Sequence, residues 1–304
     1  MKQHFYDARM DQEHPHWGKL VPGAAKQAFG DLTTYLDLQI EPIIQEYWQR
    51  KSGADAIAQR QVAEATEETT VLSYYAVTPQ YLYELSYWEA SLDKQRWFRV
   101  LAQACRKYGL KRVLDFGGGI GGLTLYLRAH GIQCDYLDVP GQTFDYAQWR
   151  FARYAFPVTR FDAAATDGLP WGSYDAVIAW DVLEHLFDLE AAIRKIARLL
   201  RSHGWLLSKS TFAASPDHHH HVHLAKHACY GDIRQFNQLV AQVGFDHLGQ
   251  LKPGRLSNWL RACGVRSAVV GVRIVPRLKY GGNFTVHTLG PSCVIRTGYQ
   301  RDRL

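Results

Sequence analysis

The sequence predicts an α/β protein with a Rossmann-like, doubly wound and mostly parallel sheet of seven strands, helices on both faces and a helical region before it. Three observations predict this fold. Up to about residue 110, apolar side chains recur at helical spacings of three and four. From Lys111 onward, short apolar runs alternate with amphipathic stretches. A burst of glycines, "GGGIGG", follows the first apolar run.

Composition limits the class of protein. The chain has 304 residues, of which 47% are hydrophobic, so it can bury a full core in one domain or in one domain with an added piece. No apolar run approaches the roughly 18 residues that span a bilayer. The polar N-terminus argues against a secretory signal, and the five scattered cysteines lack a CxxC pair. We therefore expect a cytoplasmic protein with reduced thiols.

The strand candidates follow one another at the spacing of a parallel sheet. They are, in chain order, "KRVLDF", "CDYLDV", "PVTRFDA", "YDAVIAWD" and "WLLSKST". The helices between them are "GLTLYLRAHG", "QTFDYAQWRFARY" and "DLEAAIRKIARLLRSHG". We expect "DHLGQL" and either "NFTVHTLG" or "SCVIRTG" to complete the sheet in antiparallel fashion. Ligands of such sheets bind beyond the carboxyl ends of the strands.

The glycine segment fits two ligand-binding patterns. Gly117, Gly119 and Gly122 form GxGxxG, a dinucleotide pattern, with Asp138 at a suitable distance to bind a ribose. Asp115–Gly121 also reads D-x-G-x-G-x-G. In both patterns the turn needs positive backbone angles and close approach of a ligand. The carboxylate that opens the second pattern suits a cationic ligand group better than a pyrophosphate.

The segments "VLDFGGGIGG", "YLDV" and the stretch from "RFDAAATDG" to "HGWLLSKS" together resemble the class I S-adenosylmethionine-dependent methyltransferases. The resemblance covers roughly residues 110–250 and is to the small-molecule branch that includes ubiquinone-type O-methyltransferases. It implies S-adenosylmethionine as cofactor, no required metal, and methyl transfer to an oxygen or nitrogen of a small molecule, such as a secondary metabolite. Three alternatives remain: an NAD(P)-dependent oxidoreductase, a methyltransferase acting on RNA or another macromolecule, and a catalytically silent binding protein.

The resemblance also implies residue roles. Asp115 would favour the ammonium group of the cofactor, Asp138 would accept hydrogen bonds from its ribose hydroxyls, and Val139 would touch its adenine. Asp138 and Asp162 each have a structural alternative, which is to cap a turn. The complete set of cofactor-binding residues implied by the resemblance is Asp115, Gly117, Gly118, Gly119, Gly121, Asp138, Val139, Asp162, Ala163 and Trp180.

The block "DVLEH" has both a structural and a chemical interpretation. Asp181 is a good N-cap residue, and Glu184 three positions later would complete a capping box. His185 would then lie on the same side of the starting helix, near the mouth of the cleft, where an imidazole can accept a proton. We therefore include Asp181 and His185 among the candidate catalytic residues.

The histidine run "PDHHHHVHLAKH" has two interpretations. In an extended chain His219, His221 and His223 share one face and could bind a transition metal, but no characteristically spaced acidic ligand accompanies them beyond Asp217. The segment also resembles an H-x-H motif that methyltransferases of this branch carry over the substrate pocket. On that resemblance His221 and His223 are the best base or substrate-orienting candidates, and no metal site is predicted.

The two ends of the chain are assigned as follows. The resemblance implies that residues 1–108 form a helical lid or substrate region and that residues 109–304 form the core. From Lys252 onward ten basic residues face one acid, and we expect a basic insertion at about 252–281. Such a segment suits an acidic substrate, a peripheral membrane contact or a solvated surface. Because no RNA-binding module is recognisable, no nucleic-acid partner is expected.

Overall fold

The computed structural model describes residues 20–39, 62–165, 167–212, 224–253, 272–275 and 284–290. The helices in this part of the chain are α1 (Pro22–Leu36), α2 (Glu68–Val77), α3 (Gln80–Ala90), α4 (Leu92–Lys107), α5 (Gly122–Ala129), α6 (Gln142–Arg153), α7 (Leu189–Leu199) and α8 (Ile233–Gln242). Two 3₁₀ helices span Leu183–His185 and Ala225–Gly231. The helical character predicted for the first 110 residues is therefore confirmed for the part that the structure describes.

One sheet organises the remaining chain. Its strands are β1 (Arg112–Phe116), β2 (Gln133–Asp138), β3 (Arg160–Asp162), β4 (Tyr174–Trp180), β5 (Leu200–Lys209), β6 (Phe245–Pro253), β7 (Val272–Val275) and β8 (Thr285–Leu289). They are ordered β3-β2-β1-β4-β5-β8-β6-β7. The first five strands are parallel, and the order reverses at β1, so the predicted doubly wound, mostly parallel sheet is confirmed.

The sheet departs from the prediction at the edge formed by β8, β6 and β7. "NFTVHTLG" supplies β8, which lies between β5 and β6 and is antiparallel to both. The other candidate, "SCVIRTG", lies outside the described residues. An eighth strand, β7, adds to the seven predicted and pairs antiparallel with β6. It comes from "VRIV" within the expected basic insertion, whose apolar residues are spaced for a strand and pair with the free edge of β6.

Helices cover both faces of the sheet. Alternation along β4 sends Val177 and Ala179 to one face and Ile178 and Trp180 to the other, as the two-residue period of a strand requires. The first face packs against α7 and α8, and the second against α4 and α5. Because both faces are buried, β4 carries an almost unbroken apolar sequence, with all seven residues buried.

Candidate functional site

The glycine turn joins β1 to α5 at the carboxyl edge of the sheet. Gly117, Gly119 and Gly121 have φ angles of +72°, +54° and +77°, in the left-handed region that favours glycine. The Gly117 N–H donates to the Leu137 carbonyl at 2.8 Å. The Tyr136 hydroxyl donates to the Gly119 carbonyl at 2.6 Å. The turn is therefore tied to β2 by backbone and side-chain hydrogen bonds.

Protein side chains lie close to these glycines. A Cβ atom on Gly117 would overlap the Val182 side chain, and one on Gly118 would lie 2.6 Å from the Tyr136 ring. A Cβ atom on Gly121 would lie 2.7 Å from the Phe151 ring. Tight packing within the protein therefore already requires glycine here, a reason that the sequence argument, which rested on positive backbone angles and the approach of a ligand, did not include.

Asp115 is buried at the carboxyl end of β1. Its Oδ2 atom accepts a hydrogen bond from the Thr124 hydroxyl at 2.8 Å. Burial raises the pKa of Asp115 to about 7; the Thr124 hydroxyl opposes this shift, while the Asp138 carboxylate adds to it. The carboxylate lacks a paired cation in direct contact among the described residues, so a cationic group brought into the cavity beside it would stabilise its charged form.

Asp138 ends β2 next to the turn. One carboxylate oxygen accepts the Gly119 N–H at 2.5 Å, and the other accepts the Val139 N–H at 2.7 Å. Burial raises the pKa of Asp138 to about 6, against the effect of these two backbone donors. Asp138 thus fixes the glycine turn relative to the second strand, and both Asp138 and Val139 line the cavity described below.

At the end of β4, Trp180 and Asp181 meet a lysine from α4. The Lys94 ammonium lies 3.3 Å from Asp181 Oδ2, 3.5 Å from the centroid of the Trp180 ring and 4.3 Å from that of Trp88. Burial lowers the pKa of Lys94 to about 8, although the neighbouring Asp181 carboxylate acts in the opposite direction. The α4 N-cap helps to fix this lysine, because the Ser91 hydroxyl accepts the Lys94 N–H at 3.2 Å.

The capping box predicted for "DVLEH" is wrong. Asp181 adopts a left-handed φ of +51°, the following helix is only the three-residue 3₁₀ turn Leu183–His185, and its N-cap is Val182. The Asp181 carboxylate is paired with Lys94 instead. Glu184 points toward the end of β5, where its Oε1 atom accepts the Thr211 N–H at 3.0 Å.

Glu184 is nevertheless an unusual carboxyl group. It is 3% exposed, and burial raises its pKa to about 8, with the Asp181 carboxylate adding to the shift. His185 follows it and lines the cavity, with its ring centroid 5.6 Å from that of Tyr75 on α2. The block therefore carries one buried acid behind the cavity and one imidazole facing it.

The opposite wall of the cavity comes from α2 and α3. Tyr75 and Tyr81 lie with ring centroids 5.4 Å apart. Burial holds the pKa of each phenol well above its usual value, with the Glu84 carboxylate adding to both shifts. These tyrosines are therefore neutral at physiological pH and present apolar ring faces with polar tips.

A network of buried charges joins α3 to the glycine turn. The Arg150 guanidinium on α6 donates to both carboxylate oxygens of Glu89, at 2.6 and 2.8 Å, and to the Ile120 carbonyl at 2.9 Å. It also lies 3.1 Å from Asp31 Oδ2 on α1. Arg150 thus fixes two N-terminal helices against the turn.

These elements enclose one large cavity. Its empty space, counted out into the open solvent at its mouth, is about 1350 Å³. The sequence-predicted residues that line it are Asp115, Gly117, Gly118, Gly119, Asp138, Val139, Trp180, Asp181 and His185. One space at the carboxyl edge of the sheet therefore brings these nine predicted residues together.

Three of the predicted cofactor-binding residues lie outside this lining. Gly121 packs against the Phe151 ring on α6. The Asp162 carboxylate accepts the Ala164 N–H at 2.7 Å and so caps a turn, the structural alternative considered for it. The Ala163 carbonyl accepts a hydrogen bond from the Lys195 ammonium at 2.6 Å.

The remaining predicted residues belong to segments other than the described ones. His221 and His223 lie outside the described residues, as do His219 and most of the basic segment at 252–281. Within the described part of the chain, no three His, Cys, Asp or Glu side chains are arranged so that they could hold a metal ion together. The described helices also include none that is long and apolar enough to cross a membrane.

Sequence reasoning missed Lys94, Glu89 and Arg150. Lys94 is 87 positions from the aspartate that it pairs with, and Arg150 is 61 positions from Glu89. No local pattern links residues so far apart, because the folded sheet brings them together. A weak signal was present: Arg150 lies on the apolar face of a predicted amphipathic helix, where an arginine needs a partner.

Known proteins share sequence with this chain. A family model described as a methyltransferase domain matches residues 88–249. The hybrid PKS-NRPS synthetase mpsA of Macrophomina phaseolina is 27% identical over 231 residues, which are 69% of this chain and 5% of that protein. The lovastatin diketide synthase lovF of Aspergillus terreus is 31% identical over 139 residues, which are 40% of this chain and 6% of that protein. The chain thus spans only a small part of these relatives.

Solved structures with a similar arrangement include the [4+2]-cyclase SpnF, at 17% identity and a TM-score of 0.44, covering 67% of this chain and 83% of that one. Another is phosphoethanolamine N-methyltransferase 2 of Haemonchus contortus, at 21% identity and a TM-score of 0.40, covering 55% of this chain and 40% of that one. The family match spans more than half of the chain and includes β1, the glycine turn and the strand ends that line the cavity. The protein therefore belongs to the methyltransferase domain family.

Proposed function

We propose that this chain is an S-adenosylmethionine-dependent methyltransferase that transfers a methyl group to an oxygen or nitrogen of a small-molecule acceptor. The observation that carries the proposal is the Asp138 carboxylate, which lies in the cavity at the end of β2 and is fixed to the glycine turn through the Gly119 N–H. A carboxylate at this point suits the two ribose hydroxyls of a nucleoside. Membership of the methyltransferase family supports the same cofactor.

The charge of the cavity fits a cationic cofactor. S-adenosylmethionine carries an ammonium and a sulfonium group against one carboxylate. The acidic residues in the described lining are Glu68, Glu84, Glu89, Asp115, Asp138 and Asp181, against one lysine. A pyrophosphate-bearing dinucleotide would bring negative charge next to Asp115 and Asp138. This balance supports S-adenosylmethionine over NAD(P).

Different residues of the lining would contact different parts of the cofactor. Asp138 binds the ribose, Val139 contacts the adenine, and Asp115 favours the ammonium group at the amino-acid end. The turn glycines line the same end, and Trp180 with Asp181 lies beneath the methionine arm. Asp162, Ala163 and Gly121 lie outside the lining of the cavity, and this proposal assigns them no direct contact with the cofactor.

The chemistry requires little from the protein beyond positioning. When bound, the cofactor supplies a methyl group already activated on a sulfonium. The acceptor lone pair forms the new bond to carbon as the carbon–sulfur bond breaks, and the electron pair stays on a neutral thioether sulfur. The acceptor proton passes to a base, for which His185, His221 and His223 are the candidates, and Asp181 lines the same cavity as His185. Holding the acceptor in line supplies several kcal/mol of the barrier.

The acceptor is a small molecule of the secondary-metabolite kind. The matched relatives include a hybrid PKS-NRPS synthetase and a lovastatin diketide synthase, which supports this class. The aromatic wall of Tyr75 and Tyr81 suits an acceptor with both apolar and polar parts.

Three expectations from the sequence stay predictions. They are the division of the chain into 1–108 and 109–304, a peripheral membrane contact through the basic segment, and a cytoplasmic location.

Calorimetric titration of the purified chain with S-adenosylhomocysteine and, separately, with NADH tests the cofactor. We expect saturable binding of the first and none of the second; the reverse would assign the chain to the oxidoreductases.

Turnover with S-adenosylmethionine and a panel of hydroxyl and amine acceptors then separates an enzyme from a silent binding protein. His223→Ala should lower that turnover with nearly unchanged cofactor affinity, whereas full activity would remove His223 as the base.

A further inference from the structure

Helix α2 supplies part of the cavity lining although it is short and carries a single buried residue. Glu68, Val71, Leu72 and Tyr75 line the cavity, and of the ten residues of the helix, all of which the structure describes, Val71 is the buried one. An isolated helix of fewer than about 12–15 residues is marginal in water. The position of α2 therefore depends on its contacts with the rest of the protein.

Some of these contacts are made by side chains. The Tyr75 ring centroid lies 5.6 Å from that of His185 at the end of β4 and 5.4 Å from that of Tyr81 on α3. Val71 packs in a small apolar cluster with Leu224. Side-chain contacts of this kind can rearrange, so they do not by themselves fix the distance between α2 and the sheet.

The C-terminal end of α2 rests directly on Gly141, the N-cap of α6. A Cβ atom on Gly141 would lie 2.6 Å from Ala76 Cα and 2.8 Å from its carbonyl carbon, and it would overlap the Ala76 carbonyl oxygen. All three are backbone atoms, which cannot rotate away as a side chain can. The Gln142 amide adds a tether, because it donates to the Val77 carbonyl at 3.2 Å. A side chain at position 141 would therefore push α2 away from this loop.

The same loop faces the cavity. Asp138 and Val139 before Gly141, and Thr143 after it, line the cavity, whereas Gly141 itself does not. Gly141 is therefore the point at which the segment proposed to bind the nucleoside contacts the helix that carries Tyr75.

We propose that Gly141 is a positioning residue: because it lacks a side chain, α2 can approach the end of β2, and this approach keeps Tyr75 against His185. Its role in catalysis rests on the proposed function, in which Tyr75 belongs to the wall that suits the acceptor and His185 is a candidate base. The docking of α2 does not depend on that function. A larger residue at position 141 would move the aromatic wall and leave the side chains proposed to bind the cofactor in place.

Gly141→Ala tests this role in three measurements. Hydrogen exchange followed by mass spectrometry should show amide exchange about 10-fold faster in the peptide that contains α2. The ring-proton resonance of His185 in the NMR spectrum, identified by its absence in His185→Gln, should shift because the Tyr75 ring moves. The affinity for S-adenosylhomocysteine should change by less than about threefold, since Gly141 lies outside the cavity lining.

Gly172→Ala is the matched control. Gly172 also has a positive φ, +65°, but an added Cβ atom would meet open space. This variant should leave the exchange of α2 and the His185 resonance unchanged. Gln142→Ala is a second variant in case Gly141→Ala folds poorly, because it removes the tether to Val77 without placing a side chain against Ala76. It should raise the exchange of α2 about two- to fivefold.

Three results would overturn the proposal. The first is unchanged exchange of α2 in Gly141→Ala or, where that variant cannot be studied, in Gln142→Ala. The second is a rise in exchange that is equal over the whole chain. The third is faster exchange of α2 with a large loss of S-adenosylhomocysteine affinity, which would mean that Gly141 supports the nucleoside site instead of the aromatic wall. If the unchanged protein does not bind S-adenosylhomocysteine, the proposed function fails, while the exchange and NMR results still decide whether Gly141 positions α2.

Discussion

The Arg150 guanidinium lies 2.6 Å from the Glu89 carboxylate, and its side chain has no exposed surface at all. The pair connects α6 of the sheet-covering layer to α3 of the N-terminal helices, and the same guanidinium reaches the Ile120 carbonyl in the glycine turn. Since Glu89 and Ile120 both line the cavity, a buried ion pair supports the shape of the cavity from behind.

Removing Arg150 should therefore be costly. Arg150→Met leaves the buried Glu89 carboxylate without its cation and removes one of the two cations that pair with Asp31, and breaking a buried ion pair in this way typically costs about 3–5 kcal/mol. We expect a fall in the melting temperature of roughly 10 °C, measured by circular dichroism. Arg153→Met is the control, because Arg153 also pairs with Asp31, at 3.2 Å, but is 42% exposed and should contribute less than about 1 kcal/mol. Equal effects of the two variants would contradict the special role of Arg150.

The packing around Gly117 can be separated from its backbone conformation. Gly117→Ala places a methyl group against Val182 at a φ of +72°. Gly131→Ala introduces the same residue at a φ of +76° with open space around it. Both carry the left-handed penalty of about 1 kcal/mol, so the additional loss of stability in Gly117→Ala reports the contact with Val182. Urea denaturation should show that excess, and two equal losses would exclude it.

Asp138 should dominate cofactor affinity. Asp138→Ala removes a carboxylate that would accept two ribose hydroxyls, and we expect S-adenosylhomocysteine affinity to fall about 10²-fold in calorimetric titration. Asp162→Ala is the comparison, because Asp162 pairs in register with Asp138 on the neighbouring strand but caps a turn outside the cavity lining. Its effect should stay below about threefold. Unchanged affinity in Asp138→Ala would remove this residue from the ribose site, and an equal loss in both variants would place Asp162 at the cofactor.

The buried Glu184 predicts a pH dependence of stability. Its pKa is about 8 in the folded chain against 4.5 ordinarily, so between these values the folded state holds a proton that the unfolded state releases. Stability due to this group therefore falls as pH rises from about 4.5 to 8. Glu184→Gln cannot ionise, and its stability relative to the unchanged protein should improve by at least about 1 kcal/mol between pH 5 and pH 8.

Urea denaturation at the two pH values measures this change. Glu190→Gln, at an exposed position on α7, is the control and should shift by less than about 0.5 kcal/mol between them. A Glu184→Gln difference that is the same at pH 5 and pH 8 would mean that the carboxyl group is ionised in both conditions.

Local patterns in the sequence were sufficient to predict most of the fold. Among the first five strands, β1, β2 and β4 are short apolar runs that are each followed by a helix, and this alternation predicts a parallel sheet. The glycine turn could be predicted because it comes directly after β1, and Asp138 because it is the last residue of β2. The local prediction that was wrong is the capping box in "DVLEH". The capping pattern is present in the sequence, but Asp181 has a left-handed backbone and its carboxylate pairs with Lys94.

The parts that could not be predicted depend on contacts between distant segments. The pairing of Lys94 with Asp181 and of Arg150 with Glu89 exists only after α3, α4 and α6 pack around the strand ends. The edge strand β7 was also missed, because four residues in a basic segment form a strand only when β6 offers them an open edge. Charge and spacing identify such residues as candidates, but only the packed structure selects their partners.

The cavity is lined by two sets of segments that come from different parts of the sequence. The strand ends and glycine turn form one side, while α2 and α3, which precede the sheet, form the other. Exchange of the helical segment between homologues would therefore remodel one side and leave the side formed by the strand ends intact, provided that Glu89 is retained for Arg150. In the proposed methyltransferase, the wall next to the acceptor could therefore change in evolution while the wall next to the methyl donor stayed the same.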